Sequence, residues 1–163
     1  MSGKAARPGK AKTQDAIKVL VRNRRAFHDY DIEETLEAGL SLVGSEVKSL
    51  RDQRASIAEG HIQIRGGQAW LVGVQIQEYP WAHHRTHVPT RERRLLLHRR
   101  EIDKLDTRLV QRGYTLVPLA FYVKNGIIKL EIGVARGKKQ YEKRESVKEA
   151  EAKREIDRAM RRH

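Results

Sequence analysis

The sequence predicts a mainly β protein: a small antiparallel barrel with flanking α-helices and a basic C-terminal tail. Three observations lead there. Several short segments alternate apolar and polar residues and are separated by turn residues. Two further segments carry apolar residues at helical spacing. After Gly137 the composition changes abruptly to charged residues with few apolar ones.

Between residues 26 and 43 the even positions Tyr30, Ile32, Leu36, Ala38, Leu40 and Leu42 are apolar or small. The odd positions Asp29, Asp31, Glu33, Thr35, Glu37 and Ser41 are polar. That period of two predicts a half-buried strand although Glu and Ala are weak strand formers. Gly44-Ser45 opens a short helix, with Ser45 as its N-cap and Glu46 at the positive end of the helix dipole. Val47 and Leu50 face inward, leaving Lys48, Arg51 and Arg54 outside. Strands resume at His61–Arg65, turn at Gly66-Gly67, and continue through Trp70, Val72, Val74 and Ile76. Pro80 and Pro89 bracket a polar loop over residues 80–92. The run Leu95-Leu96-Leu97 follows. Ile102, Leu105 and Leu109 then mark a helix near 99–111, stopped at Gly113. Two alternating segments, Tyr114–Val123 and Ile127–Ala135, flank Asn125-Gly126, the preferred pair for a tight hairpin.

Small antiparallel chains of this kind commonly close into barrels, which removes exposed edges. The OB-type barrel is the nucleic-acid-binding form of that architecture. The expected organisation is a flexible basic arm over residues 1–21, a barrel over 22–136 and a tail over 137–163. Within the arm, residues 1–15 are too poor in apolar groups to order themselves. The tail carries a thin stripe of Ala152, Ile156, Ala159 and Met160, plus the i,i+4 pairs Glu149–Lys153 and Asp157–Arg161. Such pairs contribute about 0.2–0.5 kcal/mol each. That does not hold an isolated helix in water, so the tail is expected to be disordered when free and helical when bound.

The 163 residues carry a net charge of +13. Residues 1–25 hold +7 of it and residues 137–163 hold +4, leaving a nearly balanced body. Basic ends on a globular body point to a polyanion. The absence of cysteine excludes disulfides and thiolate zinc sites. No segment approaches the roughly 20 apolar residues that span a bilayer. A soluble cytoplasmic protein is expected, with no membrane partner.

His83, His84 and His87 lie between the two prolines without a helical pattern or a nearby acid to complete a ligand set, so no metal is expected. Gly133–Lys139 lacks the glycine spacing of a phosphate-binding loop. No nucleophile–base or paired-carboxylate arrangement stands out, so neither an enzyme nor a cofactor is expected. The basic clusters are stronger candidates: Arg22, Arg24 and Arg25; Arg91, Arg93 and Arg94; and Lys138, Lys139, Lys143 and Arg144 around Tyr141. Cations neutralise phosphates and an aromatic ring stacks on an unpaired base. Together with an OB-like pattern they predict RNA binding. A structural ribosome-associated protein and an RNA-processing enzyme are the alternatives.

Four ordered motifs go further. They are Asn23–Tyr30 (NRRAFHDY); Glu37–Leu40 with Gly44–Arg51 (EAGL…GSEVKSLR); Pro89–Leu97 (PTRERRLLL); and Gly133–Arg144 (GVARGKKQYEKR). Their order and wording resemble the SsrA-binding protein family, small protein B. The resemblance implies an OB-type barrel that binds the tRNA-like domain of transfer-messenger RNA, and a tail that enters the decoding centre and empty mRNA channel of a stalled ribosome. It implies a non-enzyme, here read as a monomer. Asn23, Arg24, Glu46, Lys48, Arg91 and Arg93 fall on the family's RNA-facing motifs. Arg25, Arg51 and Arg94 join them as neighbouring cations. Glu46 is expected to accept hydrogen bonds from bases. Lys138, Lys139, Tyr141, Lys143 and Arg144 match the start of the tail, where Tyr141 stacks on a ribosomal base, and Ile156 and Met160 carry its apolar stripe. Arg94 stands for a usual Lys, and Tyr141 for a common His.

Overall fold

A computed structural model describes residues 16–161, apart from the side chains of Gln140 and Tyr141. The arm expected over residues 1–15 lies outside the described residues. The strand β1, Lys18–Arg22, lies where the rest of that arm was expected. It pairs antiparallel with β8, Tyr114–Lys124, and buries Leu20. A single buried leucine in a five-residue strand is too little pattern to read from sequence.

The other strands are β2 (Tyr30–Leu40), β3 (Ala55–Ser56), β4 (His61–Arg65), β5 (Gln68–Val72), β6 (Gln75–Ile76), β7 (Arg93–Leu96) and β9 (Ile127–Gly137). Seven form one antiparallel sheet in the order β1-β8-β9-β2-β7-β5-β4; β3 and β6 pair separately. The sheet curls until β4 lies against β8, as a barrel requires. Inside sit Leu50, Leu71, Ile76, Leu116, Phe121, Leu130, Ile132 and Val134, all essentially without exposure. A second cluster of Ala26, Val117, Leu119 and Ala135 lies beneath the helix α1, Arg24–Asp29. The expected OB-like class, mainly antiparallel β with flanking helices, is the one found.

The strand of period two runs over Tyr30–Leu40 with its odd residues outward, as expected. The segment read as strand from residue 26 begins too early, because α1 holds the chain through Asp29. Asn23 caps α1, its Oδ1 accepting from the Ala26 amide at 3.0 Å, and so short a helix leaves no periodic signal. The hairpin turns at Asn125 (φ 52°) and Gly126 (φ 74°), the conformation the pair was expected to adopt. The third helix, α3, spans Arg99–Val110 and buries Ile102 and Leu105.

The fifth strand corrects the sequence reading. Ala69 and Leu71 face the core, not Trp70 and Val72. Gly73, at φ 76°, inserts one residue and reverses the alternation, so Val74 and Ile76 also point inward. A Cβ there would lie 2.6 Å from the Glu59 carbonyl oxygen. Ser45 is not the cap of α2 (Gly44–Arg51); the Val43 amide instead donates to Glu46 Oε2 at 3.0 Å.

The tail from Gln140 to Met160 is a 21-residue helix, α4. From Val147 onward every described residue of it is exposed. Among the described residues no helix is long and apolar enough to cross a membrane.

Candidate nucleic-acid interface

Helix α2 is held by a buried charge network. Glu46 and Arg93 are both without exposure and meet at 2.9 Å, Nε to Oε1. Arg91 reaches the same carboxylate at 2.6 Å and 3.1 Å. Arg93 also donates to the carbonyls of Val74 (2.8 Å) and Pro89 (2.9 Å), and Arg91 to that of Ser41 (3.3 Å). Burial pushes the Glu46 carboxyl upward, but the hydrogen bonds from Arg91 and Val43 and the Arg93 charge outweigh it, holding the group below the usual range. Glu46 and Arg93 were expected on the RNA-facing surface, Glu46 reading base edges; in this structure both are buried against each other. They bolt α2 to β7 and to the loop 77–92.

His87 is a second bolt, buried at 7 % exposure. Its Nε2 lies 2.8 Å from the Ile76 carbonyl, which can only accept, so Nε2 carries the hydrogen. Its Nδ1 then accepts from the Ser45 hydroxyl at 2.8 Å. Backbone bonds from Ile76 to Pro89 and from Gln77 to Arg54 close the base of the loop. The loop is consequently pinned over the N-terminal end of α2.

Asn23 is likewise structural. It is 2 % exposed, and its Nδ2 donates to the Pro118 carbonyl at 2.8 Å while its Oδ1 caps α1. Both ends of this side chain are occupied in the interior, where the family motif placed it facing RNA.

The remaining candidates do reach the surface. Lys48 and Arg51 project from α2, the latter donating to the Gly126 carbonyl at 3.2 Å. Arg91 is partly exposed beside them. Arg24 is exposed on α1, and Arg25 is engaged with Asp29 (3.3 Å) and Glu59. Arg94 lines a groove of about 640 Å³ with the exposed Leu96, Lys129 and Arg99; Glu37 and Glu101 also line it. Glu37 is occupied there by the Tyr122 hydroxyl and Lys124, which hold its carboxyl below the usual range. Lys129 was legible as an outward residue of β9, between inward Ile128 and Leu130. Tyr79, Trp81 and Arg85 line a second groove, against α2, and did not stand out in the sequence because their loop has no periodicity.

The tail root lies on α1. The Lys138 amide donates to the Asp29 carbonyl at 3.0 Å, Lys138 Nζ to the Phe27 carbonyl at 3.2 Å, and Lys143 approaches Asp29 at 3.8 Å. Asp29 is held below the usual carboxylate range, first by its hydrogen bond with His28. Lys139, Arg144, Ile156 and Met160 are exposed; the Tyr141 side chain lies outside the described residues.

What results is a preformed basic surface in several patches, with an exposed charged helix leaving from one of them. The SmpB protein family model matches residues 20–162. The SsrA-binding protein of Thermobifida fusca (strain YX) is 54% identical over 145 residues, covering 89% of this chain and 91% of that one. That of Bacillus cereus (strain B4264) is 49% identical over 144 residues, 88% of this chain and 93% of the other. A chain from a solved structure described as "tmRNA-SmpB: a journey to the center of the bacterial ribosome" superposes with a TM-score of 0.63. It is 41% identical and covers 74% of this chain and 85% of its own length. With the family model matching nearly the whole described body and tail, this chain belongs to the SmpB protein family.

Proposed function

We propose that the barrel binds the tRNA-like domain of transfer-messenger RNA and carries it to stalled ribosomes. Helix α4 then occupies the decoding centre and empty mRNA channel. The protein acts as a cytoplasmic monomer and binds RNA rather than catalysing a reaction. Arg24, Lys48, Arg51, Arg91 and Arg94 neutralise phosphates of the tRNA-like domain. Lys138, Lys139, Lys143 and Arg144, with Tyr141, meet ribosomal RNA at the start of the tail, and Ile156 and Met160 add apolar contacts further along.

The observation that carries the reading is the exposure of these cations on a body that keeps many acids in ion pairs. Glu33 is held by Arg108, Glu34 by Lys104, Glu37 by Lys124 and Glu46 by two arginines. The names of the relatives and of the solved complex support the choice of partner. The tail supports the second half. A helix that buries almost nothing gains its stability from propensity and local pairs alone, which at this length is marginal in water. It is suited to order on a partner, with the root already fixed to α1.

A reconstituted translation reaction on a message lacking a stop codon tests this. With transfer-messenger RNA and ribosomes present, adding the chain is expected to append the tag encoded by that RNA to the stalled peptide. If tagging proceeds equally without the chain, or never occurs with it, the reading fails.

A further inference from the structure

The loop that closes over α2 leaves a groove of about 450 Å³, lined by Val43, Gly44, Ser45, Lys48, Tyr79, Trp81, Ala82 and Arg85. Its walls are fixed from behind. His87 ties the loop to Ser45 and Ile76, and Arg91 and Arg93 tie it to Glu46. Two turns, Tyr79 to Ala82 and Ala82 to Arg85, shape the rim. Trp81 nevertheless stands 74% exposed at its mouth. Lys48 Nζ lies 5.3 Å from the centre of the Tyr79 ring, so one face of that ring is already occupied by a cation.

Among the described grooves this one differs in its charge. The larger groove beside Arg94 holds Glu37 and Glu101, and the one beneath α1 holds Asp29 and Glu59. The α2 groove is lined by two cations, two aromatic rings and no acid. The nearby Glu46 is buried and neutralised by Arg91 and Arg93. Aromatic rings with cations beside them are the combination that takes a base and its phosphate together. Stacking accepts the π-face of any base, and the cations take the backbone charge.

We propose that the groove between α2 and the loop 77–92 is a site for one unpaired nucleobase, stacked on the exposed Trp81, with Tyr79 beside it and its flanking phosphate on Lys48 and Arg85. This rests on the RNA-binding reading above and adds a subsite to it. Stacking of this kind carries no base-edge code, so the site selects for an unstacked nucleotide rather than for a sequence.

The full chain carries two tryptophans, Trp70 and Trp81. The Trp70→Phe variant therefore makes Trp81 the sole tryptophan reporter. It is titrated with single-stranded hexaadenylate and with the same backbone lacking bases. Hexaadenylate is expected to quench Trp81 saturably, and the abasic strand to bind more weakly without that quenching. Tyr79→Leu and Trp81→Ala, read by direct binding, should each weaken hexaadenylate roughly 5- to 100-fold, a loss that persists at high salt because it is stacking. Trp81→Phe should restore most of it. Lys48→Gln should weaken both strands at low salt and neither at high salt. Trp81 is on the surface, so its replacement leaves the core untouched. Equal binding of the two strands, or hexaadenylate bound without any change at Trp81, overturns the site. The same variants titrated with the tRNA-like domain separate the two readings. A retained preference for that domain alongside equal strand binding removes only the subsite. No preference in the parent chain removes the RNA-binding reading itself.

Discussion

Glu46→Ala is expected to unfold the protein's RNA face before it changes any RNA contact. The substitution leaves Arg93 charged and without exposure, with only the Val74 and Pro89 carbonyls as partners. Removing one member of a buried pair costs about 3–5 kcal/mol, because the other charge is left uncompensated. That is a large share of the roughly 5–15 kcal/mol by which domains are stable. A fall in Tm of about 6–20 °C is expected for a chain of this size. Affinity for specific and unrelated RNAs should drop together as the loop 77–92 loosens. Selective loss of one RNA at unchanged Tm would return Glu46 to the contact surface. The acid side of the stability profile provides a second readout. The Glu46 carboxyl is held below its ordinary value in the folded state, so its contribution is complete above an unfolded value of about 4.3. It is lost as pH falls below that, toward the lower folded value. Glu46→Gln should flatten that part of the acid unfolding curve.

Ending the chain after Lys139 is expected to abolish tagging on stalled ribosomes while leaving binding to the tRNA-like domain intact. The cut keeps the Lys138 contacts to Asp29 and Phe27. It removes a helix whose described side chains are mostly exposed, so the core loses almost nothing. The removed segment carries eight basic and six acidic residues, a net +2. A charge this small, screened beyond a Debye length of about 8 Å, should change affinity for the RNA domain by no more than about threefold. Equal loss in binding and in tagging would place the tail on the transfer-messenger RNA rather than in the ribosome.

Elements with strong local signals were legible in the sequence. The alternation of Tyr30–Leu40, the Asn125-Gly126 hairpin and the stripe of Ile102 and Leu105 each depend on neighbours in the chain, and each appears as expected. What failed depends on distant partners. Gly73 reverses the face of β5 because the Glu59 backbone approaches it. Asn23 is drawn inward by the Pro118 carbonyl, 95 residues away. Glu46 and Arg93 look like members of a charged surface until their separation of 47 residues closes to 2.9 Å. His87 read as part of a solvated loop, yet it is the bolt that fixes that loop. In each case the residue type suggested exposure, and a saturated set of buried hydrogen bonds made burial tolerable. The motif match to the family picked out the candidate residues as a group, without separating buried ones such as Asn23, Glu46 and Arg93 from exposed ones such as Arg24, Lys48 and Arg51.

If the barrel reads one folded RNA rather than any polyanion, a salt series of binding to the isolated tRNA-like domain, beside an unrelated folded RNA of equal length, separates the two. Both affinities should fall with salt as phosphate contacts are screened, with the preference for the tRNA-like domain persisting at the highest salt. Equal affinities that collapse together would leave a generic basic RNA binder without recognition of the tRNA-like domain.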